Sequence, residues 1–125
     1  VGTPVYMAPE ILNNSNNDID GYDDKCDVYS FGIMMLELVT NEAPFKECQN
    51  VFEIINKKEQ FKHPSSLLKV SDMATFHLIA KCLVPDPEKR PTCTELLKSE
   101  FFHKAEDSDK LIAVSKENVH NDQDV

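Results

Sequence analysis

Between Asp27 and Thr40 apolar side chains fall on every side of a helical wheel: Val28, Phe31, Ile33, Met34, Met35, Leu36, Leu38 and Val39. A helix of that kind is expected to be buried all round, in a protein core or in a bilayer. Its 14 residues rise about 21 Å, short of the roughly 30 Å hydrocarbon layer. Asp27, Ser30 and Glu37 would also be costly in lipid. The stretch is therefore predicted to be the helix at the centre of a water-soluble core. Full burial of its large apolar side chains would contribute roughly 12–24 kcal/mol gross. Such a helix needs packing partners on all sides, which predicts amphipathic helices around it. Gly32, inside it, costs about 1 kcal/mol relative to Ala and points to close approach of another backbone.

The 125 residues suit one domain or part of a larger one. Val1 stands where a complete chain has Met, so the sequence is read as lacking its natural start. No secretory signal, transit segment or membrane span is legible. Cysteines at 26, 48, 82 and 93 form no Cys-x-x-Cys pair and are expected to be reduced thiols of an intracellular, cytoplasmic protein. The formal net charge of −9, with the lysines scattered, argues against nucleic acid or an anionic membrane as partner.

Along the chain, Gly2, Pro4 and Pro9 prevent a continuous element at the start, and a short helix is predicted from Pro9. Asn13 to Asp24 reads as an exposed loop; its Asn13-Asn14-Ser15 sequon would matter only in a secreted protein. Asn41 stands where a helix-ending, left-handed residue is usual, and Glu42 to Phe45 form a turn. Gln49 to Lys58 is predicted as an amphipathic helix on Val51, Ile54 and Ile55. A further helix, capped by Ser71, runs to Leu83 with Met73, Phe76, Ile79, Ala80 and Leu83 on one face. Thr92 and Glu95 form a capping box that opens a last helix. Residues 1–103 are thus expected to form an all-helical domain, and the polar stretch 104–125 a disordered acidic tail.

Four segments then carry a resemblance. Gly2-Thr3-Pro4-Val5-Tyr6-Met7-Ala8-Pro9-Glu10 resembles the end of the activation segment of eukaryotic protein kinases, which closes in Ala-Pro-Glu. Asp27 to Gly32 resembles the start of that family's buried large-lobe helix. Asp86-Pro87-Glu88-Lys89-Arg90-Pro91-Thr92 is similar to the loop bearing its late arginine, and Leu97 to Phe102 to the close of its domain. These segments stand in the family's order over roughly residues 2–103. They imply the C-terminal part of the large lobe of a Ser/Thr-type kinase domain, the parent domain being two-lobed and α+β.

Roles follow residue by residue from the resemblance. Thr3 would support the catalytic aspartate and lysine in placing the acceptor hydroxyl. Pro4 and Met7 would line the pocket for the substrate residue after the acceptor. Glu10 would pair with Arg90, tying the segment to the base of the lobe. Asp27 would accept hydrogen bonds from the backbone of the catalytic loop, as a buried acid needs a partner. The implied partner is a protein substrate, and the implied cofactors of the parent domain are ATP and Mg2+. The Gly-rich loop, strand lysine, His-Arg-Asp loop and Asp-Phe-Gly ligand are not in this sequence. They are expected upstream of Val1, so the chain alone is not expected to bind Mg-ATP or to be active. Removed from half of its packing partners, the lobe is expected to be marginally stable.

Two other classes remain open at this point. A parent lacking its catalytic aspartate or metal ligand would be a pseudokinase or scaffold. Separately, Asn16-x-Asp18-x-Asp20-Gly21-x5-Asp27 nearly matches a calcium loop, although its first ligand is Asn, its last is the shorter Asp, and Asp23 occupies a normally apolar position.

Overall fold

The computed structural model describes residues 4–13 and 24–103. Thr3, Asn14 and Ser15 of the sequon, most of the calcium-like loop and the tail from Lys104 lie outside the described residues. The described ones are helical, with no strand among them. In chain order they form α1 (Pro9–Asn13), α2 (Asp24–Thr40), α3 (Val51–Glu59), a 3-10 turn (Ser65–Lys69), α4 (Met73–Cys82) and α5 (Cys93–Leu97).

Helix α2 starts three residues before the predicted stretch and divides the core in two. On one side Tyr29, Ile33 and Leu36 meet Ala8, Phe45, Ile54, Leu67, Ile79 and Leu83. On the other, Val28 meets Leu78, Cys82 and Leu96. Its broadest interface is with α4, and Gly32 makes that contact possible. A methyl group on Gly32 would stand 2.5 Å from the Cys82 Cβ and 3.0 Å from a Leu83 methyl carbon. Two helices can approach this closely only where one of them lacks a side chain.

Burial of α2 on all sides is not what the structure shows. Met34 (45% exposed), Leu38 (68%) and Val39 (46%) face solvent. Only Val28, Ile33 and Leu36 among the eight large apolar side chains are fully buried, which lowers their gross contribution to about 5–9 kcal/mol. The physical reason is coverage: α4, α5 and the 3-10 turn pack on part of the cylinder, leaving the remainder bare. Asp27 lies exposed in the first turn of α2.

The turns and caps refine the predicted boundaries. Asn41 ends α2 with φ 54°. Asn50 caps α3 by accepting from the Glu53 N–H, and Lys57 and Lys58 lie in its last turn, where the dipole favours cations. Helix α4 is capped by Asp72, not by Ser71; its carboxylate accepts from the N–H and hydroxyl of Thr75. The buried face of α4 is Ala74, Thr75, Leu78, Ile79 and Cys82, while Met73 is exposed. Thr92 caps α5 through the Glu95 N–H at 3.1 Å. Among the described residues no helix is long and apolar enough to cross a membrane.

Candidate functional site

Pro4 to Glu10 lies across the end of the helical core, and side chains from three other elements hold it there. The first anchor is Arg90, 1% exposed. Its Nη1 donates to Glu10 Oε2 at 2.8 Å and its Nη2 to Oε1 at 3.0 Å, a bidentate pair joining positions 80 residues apart. The remaining N–H groups go to backbone: Nε to the Val84 carbonyl (2.8 Å), Nη1 to Lys25 (2.7 Å) and Nη2 to Pro85 (3.1 Å). All five donors of the guanidinium are used. Lys25 crosses the same joint, donating to the carbonyls of Pro87 (3.1 Å) and Arg90 (2.5 Å).

The second anchor comes from α2. The Ser30 hydroxyl donates to the Tyr6 carbonyl at 2.7 Å, and the Tyr6 hydroxyl donates to Glu37 Oε2 at 2.5 Å. That bond, then burial and the carboxylate charge, raise the Tyr6 pKa, so the phenol stays a donor.

The third anchor is Lys58, also 1% exposed. Its ammonium donates to the carbonyls of Pro4, Val5 (2.7 Å) and Met7 (2.8 Å). It lies 5.2 Å from the centroid of the Tyr29 ring and 5.1 Å from that of Phe45, within cation–π range. Phe45 reaches this place with φ 62°, a left-handed backbone that costs a bulky residue about 1–3 kcal/mol. Burial pulls Lys58 down from its ordinary 10.5 to about 7. The three carbonyls act in the opposite sense, because they match the three N–H groups of an ammonium.

The structure therefore brings together Pro4, Met7, Glu10 and Arg90. Asp27 stands apart, beside Phe31, Leu96 and Phe102 in a groove of about 320 Å³ between α2 and α5. Lys58, Ser30, Tyr6 and Lys25 were not singled out from the sequence. For Lys58 one signal was available: it follows Ile54 by four residues, so it shares that side chain's face. Among the described residues no group of three or more His, Cys, Asp or Glu side chains is placed to hold a metal ion. What the arrangement can do is hold one loop in a single shape against a rigid base.

The protein kinase domain model matches residues 1–102. The chain belongs to the protein kinase domain family. Its likeness to proteins named serine/threonine-protein kinases agrees with that. It is 43% identical over 102 residues to the probable serine/threonine-protein kinase WNK10 of Arabidopsis thaliana, covering 82% of this chain and 18% of that protein. The serine/threonine-protein kinase Wnk of Drosophila melanogaster is 40% identical over 102 residues, covering 82% of this chain and 4% of that protein. The serine/threonine-protein kinase WNK2 of Mus musculus is 37% identical over 117 residues, or 94% of this chain and 5% of that protein. This kinase-domain segment thus spans less than one fifth of each of these three relatives.

Proposed function

We propose that residues 1–103 supply the substrate-side loop and lobe base of a protein Ser/Thr kinase. The whole protein transfers the γ-phosphoryl group of ATP, with Mg2+, to a Ser or Thr hydroxyl of a protein substrate. Pro4 and Met7 line the pocket for the residue after the acceptor. Thr3 supports the acceptor hydroxyl, and Asp27 accepts from the backbone of the catalytic loop. Glu10 and Arg90 fix the loop to the base. The four cysteines form no disulfide with one another, which fits a protein of the reducing cytoplasm.

The Glu10–Arg90 pair carries this reading. A half-buried carboxylate and a fully buried guanidinium, each within a kinase-like motif, meet bidentately. Phosphoryl transfer depends on positioning and electrostatics, and a clamp of this kind positions. This chain's own residues do not fit a magnesium–nucleotide complex: the sequence contains no Gly-rich loop, His-Arg-Asp loop or Asp-Phe-Gly segment.

The test uses the whole protein in which this segment occurs, assayed for phosphate transfer from ATP to protein Ser and Thr. Transfer by the wild type, reduced at least about tenfold by Glu10→Gln through loss of the charged partner, supports the reading. A wild type that folds and transfers nothing overturns it in favour of a pseudokinase or scaffold.

A further inference from the structure

All four successive carbonyls from Pro4 to Met7 accept hydrogen bonds from side chains of other elements: Tyr6 from Ser30, the other three from Lys58. Lys58 lies 51 to 54 positions further along the chain, on α3. Among the described residues its ammonium meets no carboxylate; it is held by carbonyl dipoles and two ring faces. All four residues are half-buried; Val5 and Tyr6 pack against the core. Lys58 thus holds the backbone at both Pro4 and Met7, with Ser30 holding Tyr6 between them.

We propose that Lys58 is a positioning residue that sets which substrate residue is accepted after the phosphorylated Ser or Thr. It does so by fixing the Pro4–Met7 backbone, without touching the peptide. This inference rests on the reading of Pro4 and Met7 as the substrate-side pocket. A hydrophobe of equal length at position 58 would fill the space but offer no donor, and three carbonyls would lose the point on which they converge. A residue that only filled the core would affect folding and leave peptide preference alone.

Two measurements decide it. In the whole kinase, Lys58→Met is assayed on peptides varied at the position after the acceptor. KM for the preferred peptide is expected to rise about tenfold, the equivalent of one lost hydrogen bond, with kcat changed less than about twofold and the preference flattened. Lys58→Arg, which keeps charge and donors, is expected to restore part of the preference. In the 125-residue chain, backbone 15N order parameters at residues 5–8 are expected to fall from about 0.85 towards 0.6 in Lys58→Met, with Leu78 to Cys82 unchanged. If Lys58→Met does not fold, Lys58→Gln, which keeps two N–H donors, gives the same readouts at smaller size.

An unchanged preference accompanied by a parallel loss of kcat and kcat/KM would overturn the inference, as would unchanged order at residues 5–8. Should the wild-type kinase transfer no phosphate at all, the proposed function falls. The order-parameter arm then still decides whether Lys58 holds the loop.

Discussion

Arg90 and Lys58 are two buried cations serving one loop, and they are held in opposite ways. Both are 1% exposed, and both lie 5.2 Å from the centroid of the Tyr29 ring. Arg90 faces a carboxylate and uses a planar fork whose five donors all find acceptors. Lys58 faces three carbonyls and two aromatic rings. A burial penalty offset by a full opposite charge and one offset by dipoles alone should respond differently to mutation and to pH.

The largest difference is expected on removal. Arg90→Met leaves the Glu10 carboxylate and three carbonyls without their donor, and should lower stability by about 3–5 kcal/mol. In a chain expected to be marginal, that abolishes the cooperative melt in calorimetry. Lys58→Met removes three donors from a loop that water can reach, and should cost about 2 kcal/mol, leaving a melt at lower temperature. Equal losses in the two variants would erase the distinction.

Alkaline pH sharpens it further. Burial pulls Lys58 from 10.5 to about 7 in the folded chain, while the unfolded chain holds its proton to the ordinary value. Between about 7 and 10.5 the unfolded state binds more protons, so stability rises with pH across that window. The urea midpoint should climb from pH 7 to 8 in the wild type but not in Lys58→Met, where the raised Cys82 thiol makes it drift down as pH approaches 9. A flat wild-type profile would mean that the three carbonyls cancel the burial penalty.

The smallest expected effect lies at acid pH, at Glu47 in the turn before α3, which pairs with Lys57 beside Lys58. Burial pushes the Glu47 carboxyl up, but hydrogen bonds from the Lys57 ammonium and the Ser65 backbone outweigh it and hold the group at about 2, below its ordinary 4.5. The stability from this lowered value is present above 4.5 and is lost as pH falls towards 2. Glu47→Gln should remove that part of the acid dependence of the melting temperature, and an unchanged acid profile in the variant would refute it.

The contrast between the cations also explains what could be read from the sequence. Glu10 and Arg90 sit in motifs whose spacing and order are distinctive, and the helical class followed from the apolar pattern of α2. Lys58 was hidden because a lysine near the C-terminal end of an amphipathic helix normally reads as solvated. Periodicity favoured Val51, Ile54 and Ile55 as the buried set. In the structure Ile54 and Lys58 are buried, while Val51 and Phe52 are exposed. The selecting partners, carbonyls some fifty residues earlier, exist only once the loop is folded. The bare side of α2 was misread for a related reason: a wheel shows which side chains want cover, not whether the chain supplies it. Ser71 and Asp72 differ only in which one reaches the Thr75 N–H, and adjacent caps cannot be separated by residue type.

Where α2 and α4 meet at Gly32, the near atom is the Cβ of Cys82. Its thiol is completely enclosed, and burial lifts it to about 12, whereas Cys93 on α5 is open to solvent. The molecule thus carries its own chemical clock. An alkylating reagent meets the exposed Cys93 directly and reaches Cys82 only when the two helices part. The ratio of the two rates reads out how often the lobe's central contact opens, under native conditions and without denaturant.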